Sequence, residues 1–236
     1  YQAGAWAAIC ELGIRVDVVV GASIGSLNGW AIAGGCTGAE LVERWMSLNS
    51  NSRVDWRAPW PPWGGLVDPG RFEAQVREIH GAYQPRIQYG VVLTRISRMR
   101  PELFTKNVTW RHLAASCAVP LLFPSYSIDG LGYTDGGFLN ALPLWAAERM
   151  GARRILAVDA WTPARWMRMA LRPLRLRRRA VPRIGEGLEV IRIRPAGQLG
   201  AMRDALIWNQ EYASGWIAQG REDAFRALAG QKTICS

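Results

Sequence analysis

Residues 14–20 (IRVDVVV) and the five that follow constrain this chain more than any other stretch. The run is β-branched and almost wholly apolar, the pattern of a strand buried on both faces, and such strands belong to sheets covered by helices. Directly after it comes Gly21-Ala22-Ser23-Ile24-Gly25, and a helical pattern then runs to about Ala33 and stops at Gly34-Gly35. Strand, G-x-S-x-G turn and helix is the local arrangement of a nucleophile elbow, which lifts a serine clear of the sheet edge. The turn is too tight for Cβ atoms beside the serine, which explains the glycines, and the following helix aims its positive end at the site. The competing reading is an ordinary strand-to-helix turn with Ser23 as a helix cap.

The remaining pattern alternates helices with strands. Helix is expected at 2–12, stopped at Gly13, then at 39–48, and at 70–80 behind Asp68-Pro69. A Trp/Pro-rich loop covers 49–65. A strand is expected at 86–96 with 102–105 pairing back on it, a helix at 109–117, and short strands at 126–129 and 131–134 around Gly130. Pro143 opens a helix ending at Gly151, 154–158 and 189–193 are apolar strands, and a last helix spans about 202–228 with an interruption at 215–220. This order predicts a three-layer α/β/α fold with a mostly parallel central sheet. At 236 residues, with no internal repeat or composition shift, residues 1–236 read as a single domain. Hydrophobic residues at 49% and charged ones at 20% exclude a disordered chain. No apolar run approaches about 18 residues, so no membrane-spanning helix is expected.

Four widely spaced cysteines (Cys10, Cys36, Cys117, Cys235) form no CxxC pair, and with two histidines they suggest neither a metal site nor a disulfide framework. Reduced, mostly buried thiols are expected. The chain opens at Tyr1 without a basic or strongly apolar leader, so no signal peptide is read there, and a processed protein or a fragment is the simplest expectation. A cytoplasmic or peripheral-membrane location fits these features.

The charge is concentrated. Segment 163–183 holds eight arginines and no acid, so it carries +8 of the net +10. It reads as a basic insertion or loop in which Trp166, Met167, Met169, Leu171, Leu174 and Leu176 interleave the arginines. That texture suits an anionic membrane surface met by Arg165, Arg168, Arg172, Arg175, Arg177, Arg178 and Arg179, with Trp60 and Trp63 as candidate interfacial anchors. The alternative is a solvated loop without a partner. No nucleic-acid module accompanies it, so no nucleic-acid partner is expected.

A serine hydroxyl needs a base to act as a nucleophile at neutral pH. His80 (REIHGAY) and His112 (TWRHLAAS) read as partly exposed helix residues, so a carboxylate is the better candidate base. Asp129, before Gly130, is turn chemistry. Asp159 closes the strand RRILAVD and Asp135 sits in Tyr-Thr-Asp-Gly-Gly; spacing favours Asp135 without deciding between them.

YQAGAWAAICELGIRVDVVVGASIGSLNGWAIAGG closely resembles the first part of patatin-like phospholipases, including the elbow at Ser23. HLAASCAVPLLFPSYSIDGLGYTDGGFLNALPLWAAERMGARRILAVD resembles their second diagnostic block, including D-G-G at Asp135-Gly136-Gly137. The resemblance covers about positions 1–36 and 112–159. It implies an acyl-lipid hydrolase working through a Ser–Asp dyad, with Ser23 as nucleophile and Asp135 as base. On the same basis the substrate is a lipid ester, Asp159 is structural, and no metal or organic cofactor is required. Gly21, Ile24, Gly25, Gly136 and Gly137 are the elbow and oxyanion candidates. The family's G-G-G-x-R-G loop, a source of oxyanion donors, normally precedes the YQAG-like helix, and this chain begins after that point. An N-terminally incomplete, weakly active domain is therefore expected. The rival readings are a conventional Ser-His-Asp esterase and a catalytically silent lipid-surface or interaction protein.

Overall fold

The computed structural model describes residues 1–48, 56, 64–160, 181–185, 187–197, 199 and 210–229. Its order is α1 (Gln2–Glu11), β1 (Val18–Ala22), α2 (Ile24–Ala33), α3 (Gly38–Met46), α4 (Gly70–Ala82), β2 (Gln88–Arg95) and β3 (Arg100–Phe104). There follow α5 (Trp110–Ser116), β4 (Tyr126–Ile128), β5 (Leu131–Thr134), α6 (Leu144–Arg149), β6 (Arg154–Val158), β7 (Glu189–Ile193) and α7 (Gln210–Leu228).

β1 begins four residues later than its apolar run suggests. A strand needs a partner, and β2 starts only at Gln88, which pairs with Val18 in parallel register. Upstream of that point the Gln88 amide reaches the Asp17 carbonyl at 3.1 Å, and no further pairing follows. The β4–β5 hairpin turns through Asp129 (φ 49°) and Gly130 (φ 76°), two positive-φ residues between the paired Ile128 and Leu131, as a type I′ Asp-Gly turn requires.

The α/β alternation is present, with parallel pairs β1–β2 and β6–β7. The other three pairings, β2–β3, β2–β5 and β4–β5, are antiparallel, so the five-stranded sheet is mixed. Successive β2 residues face opposite layers. Val91 and Leu93 join a core with Leu27 and Trp30 of α2, Val76 of α4 and Leu113 of α5, while Val92 packs with Ala22 and with Trp145 and Ala146 of α6. Helices therefore cover the sheet on both sides.

The register along β2 decides where the strand ends meet. β3 pairs with 91–95 and thereby occupies one side of β2. β1 (opposite 88–92) and β5 (opposite 94–95) must share the other side. β1 runs parallel to β2 and β5 antiparallel, so the two approach head-on. Ala22 ends β1 opposite Val92, Thr134 ends β5 opposite Thr94, and the next residue of each, Ser23 and Asp135, converges on Leu93.

The pair β6–β7 packs on α1 and α7 through Ala5, Ala8, Ile9, Ile193, Ala224 and Leu228. Helix α7 is unbroken through Gly215 and Gly220, contrary to the interruption expected there; residues 201–209 lie outside those described. Close packing explains one of these glycines: a Cβ on Gly220 would overlap the Tyr1 carbonyl, just as one on Gly4 would overlap that of Ile217. Glycine inside a helix costs about 0.5–1 kcal/mol relative to alanine, and here it lets the α7 and amino-terminal backbones approach directly.

Candidate active site

Ser23 sits at the elbow with φ 52° and ψ −138°, a conformation that side-chain-bearing residues seldom adopt. Its backbone is held at both ends. The Ser23 amide donates to Ser116 Oγ at 3.0 Å, and the Ser23 carbonyl accepts from the Ser26 amide at 2.8 Å and Ser26 Oγ at 2.7 Å. Gly21 is required because α2 folds straight back over it: a Cβ there would overlap the Gly25 carbonyl and crowd Ser26 Cα. Gly25 is less constrained, since an added Cβ would meet only the amide end of the Gln2 side chain, at 3.3 Å. Gly21→Ala is accordingly expected to displace α2, cost about 3 kcal/mol as an overpacked core site does, and remove activity. Gly25→Ala should keep the fold and most activity. Thermal unfolding and hydrolysis of both variants check this contrast.

Asp135 follows β5 directly and is 4% exposed. Its amide donates to the Ala118 carbonyl at 3.0 Å, its carbonyl accepts from Thr94 Oγ1 at 2.8 Å, and Thr134 Oγ1 ties the preceding residue to the same Ala118 carbonyl at 2.6 Å. Desolvation pushes the Asp135 carboxyl up to about 6, opposed by hydrogen bonds from the Ser23 side chain and the Gly137 and Phe138 amides. Carboxylate oxygen Oδ2 is buried without a hydrogen-bond partner. Ser23 and Asp135 share one small space: a Cβ on Gly137 would lie 3.1 Å from Asp135 Oδ1 and 3.6 Å from Ser23 Cβ. Such a carboxylate stays mostly ionised at pH 7 yet is basic enough to accept a proton. The neighbouring Cys117 thiol is pushed far up, first by burial and then by the Asp135 charge, and is inert as a nucleophile.

The glycines after Asp135 serve its turn. The Gly136 amide donates to the Ser116 carbonyl at 3.1 Å, and a Cβ on Gly136 would overlap the Val92 carbonyl. The Gly137 amide is directed at the Asp135 carboxyl. Ile24 opens α2 beside Ser23 and is 40% exposed.

Both histidines are engaged elsewhere. His80 stacks on Trp30, with ring centroids 4.7 Å apart, and its Nε2 lies 3.1 Å from the Val108 carbonyl. His112, expected to be partly exposed, is buried: its Nδ1 accepts from the Thr109 amide at 3.1 Å in a capping box that starts α5, and desolvation lowers its pKa. Asp159 belongs to the β6–β7 pair, where its amide donates to the Ile193 carbonyl at 2.9 Å. Sequence reasoning passed over Ser116 and Thr94, because nothing in HLAASC or VVLT distinguishes a bridging hydroxyl from a core one. Trp60, Trp63 and the arginines of 163–183 other than Arg183 lie outside the described residues.

The family model described as "Patatin-like phospholipase" matches residues 1–148, which include both Ser23 and Asp135. The chain belongs to the patatin-like phospholipase family. Among its relatives, a protein of Aspergillus oryzae named "Lysophospholipase nte1" is 28% identical over 164 residues, covering 67% of this chain and 11% of that protein. "Lysophospholipase NTE1" of Mycosarcoma maydis is 30% identical over 160 residues, covering 64% of this chain and 8% of the relative. "Patatin-like phospholipase domain-containing protein 7" of Rattus norvegicus is 27% identical over 173 residues, covering 67% and 12%. The chain thus spans about a tenth of the length of the curated relatives it matches. Among the described residues, no helix is long and apolar enough to cross a membrane.

Proposed function

We propose that this patatin-like domain hydrolyses carboxylic esters of lipids, with lysophospholipids as the substrate class, through a Ser23–Asp135 dyad and an acyl-enzyme. The observation that carries this reading is the meeting of a strained, backbone-clamped serine with a buried carboxylate raised to about 6, while both histidines are committed to helix packing. The names of the relatives support the substrate class.

In the first half-reaction Asp135 accepts the Ser23 Oγ proton as the oxygen attacks the ester carbonyl. Charge develops on the carbonyl oxygen, and the Ile24 amide, first in α2, lies at the positive end of that helix. Collapse of the tetrahedral adduct breaks the ester C–O bond, and Asp135 returns its proton to the departing alcohol. In the second half-reaction Asp135 takes a proton from water, the resulting hydroxide attacks the acyl-Ser23 ester, and the fatty acid leaves as Ser23 Oγ is reprotonated. The Gly136 and Gly137 amides, engaged around the Asp135 turn, are positioning groups in this scheme. The exposed Ile24 gives an apolar surface next to the nucleophile, suited to an acyl chain. The arginines of 163–183 supply the charge that anionic headgroups attract.

The test is the pH dependence of kcat/KM for lysophosphatidylcholine together with the site of fluorophosphonate labelling. The base works only when ionised, so activity should fall as pH drops through about 6. Labelling should follow the same limb and map to Ser23. A limb near the ordinary carboxylate range, or an adduct on another residue, refutes the dyad.

A further inference from the structure

Ser116 is fully buried at the end of α5 and touches both halves of the site. Its hydroxyl accepts the Ser23 amide at 3.0 Å and donates to the Val92 carbonyl at 2.8 Å. Its own carbonyl accepts the Gly136 amide at 3.1 Å. One residue therefore connects the strained elbow, the central strand β2 and the D-G-G turn, across 93 positions of sequence to Ser23. The connection matters because β1 and β5 end head-on and no ladder hydrogen bond joins one strand to the other. The position of Ser23 relative to Asp135 is left to whatever holds the two strand ends from the side.

Every polar group of this bridge has a defined role. The Val92 carbonyl fixes the direction of the Ser116 O–H, which leaves a lone pair for the Ser23 amide. Gly136 lacks a side chain at the one place where a Cβ would overlap the Val92 carbonyl and lie 3.1 Å from Ser116 Oγ. The Ser23 amide is held in place at an unfavourable φ, and without an acceptor it would be an unpaired donor next to the nucleophile.

We propose that Ser116 is a positioning residue for the hydrolysis, setting the separation and orientation of Ser23 against Asp135 by clamping the elbow amide with its side chain and the D-G-G turn with its backbone. This inference rests on the dyad reading given under Proposed function. Ser116 acts on the reacting atoms only through Ser23 and Asp135. Losing its hydroxyl should slow chemistry without weakening substrate binding.

The experiment compares Ser116→Ala with Val76→Ala, which opens the core at α4 and offers no polar group to Ser23 or Asp135, in the full chain. For Ser116→Ala, kcat for lysophosphatidylcholine should fall about 10–100-fold, the scale on which small misplacements of reacting groups act. KM should stay unchanged, the rate constant for fluorophosphonate labelling of Ser23 should fall by the same factor, and the acid limb should move up from about 6, since a displaced Ser23 hydroxyl no longer favours the ionised carboxyl. Val76→Ala should lower Tm while kcat per folded molecule holds. Ser116→Cys, which keeps the side-chain shape with a weaker donor and acceptor, should give a smaller loss in kcat and serves if the alanine variant does not fold. Wild-type kcat and labelling in Ser116→Ala, or in Ser116→Cys where only that variant folds, overturns the inference. So does a loss that tracks Tm alone as in Val76→Ala. Hydrolysis that survives Ser23→Ala overturns the dyad and this inference together, whereas Ser23-dependent hydrolysis at full rate without the Ser116 hydroxyl overturns this one alone.

Discussion

Replacing Ser23 by alanine is expected to lower kcat for lysophosphatidylcholine by about 10⁶-fold, the scale on which a serine hydrolase loses turnover with its nucleophile. Fluorophosphonate labelling should vanish with it. The fold should survive, because what holds the elbow is backbone: the Ser23 amide on Ser116 Oγ, and its carbonyl on the amide and hydroxyl of Ser26. Alanine keeps all of those bonds and inherits the same φ of 52°. The hydroxyl also contributes a hydrogen bond that favours the ionised form of Asp135. Its removal should therefore raise that pKa further, visible as proton uptake near neutral pH relative to wild type. Hydrolysis that persists in folded Ser23→Ala protein would place the nucleophile elsewhere.

Asp135→Asn is expected to reduce kcat about 10²–10⁴-fold, the usual worth of a general base, and at the same time to stabilise the fold. The two effects have one cause. Asp135 has its carboxyl raised from 3.8 to about 6 chiefly by burial, so the folded state binds its proton more tightly than the unfolded chain does. The resulting stabilisation is complete below about pH 4 and is lost as pH rises through about 6. Above that range wild type bears the desolvation of a buried carboxylate, worth on the order of 3 kcal/mol for a shift of this size. Asparagine carries no charge and escapes it. Denaturant melts should show Asp135→Asn more stable than wild type at pH 7.5 and nearly equal at pH 4. An asparagine variant that is less stable at pH 7.5, or that keeps its turnover, contradicts the assignment. His80→Ala provides the contrast: it removes stacking on Trp30 and a contact to Val108, and turnover per folded molecule should hold.

Local chemistry was legible in the sequence. Strand, Gly21-Ala22-Ser23-Ile24-Gly25 and helix marked the elbow because a tight turn needs small residues wherever the chain doubles back, and Gly21 lies where α2 does so. Asp129-Gly130 marked the hairpin because both turn residues take positive φ. Three features escaped, the first two for want of a partner that is distant in sequence. β1 starts at Val18 and not Ile14 because its partner β2 starts at Gln88. Helix α7 continues through Gly220 because the Tyr1 backbone packs there. His112 is buried because the capping box that opens α5 turns its ring inward against Phe104.

By itself the sequence determined the types of element, the strained turn that carries Ser23, and a short list of carboxylates, since these follow from backbone sterics and hydrophobic periodicity within a few residues. It did not separate Asp135 from Asp159 by spacing, because each ends an apolar strand. The family resemblance favoured Asp135, and the tertiary structure supplies the physical reason that it, and not Asp159, lies beside Ser23. β1 and β5 share one side of β2 and run head-on, so Ser23 and Asp135 meet at Leu93, while Asp159 closes a strand of the β6–β7 pair. The same packing buries the carboxyl and lifts its pKa to about 6, and it brings Ser116 across 93 positions to accept from the Ser23 amide. Desolvation and hydrogen bonds over that separation depend on how the layers close, which no local pattern records.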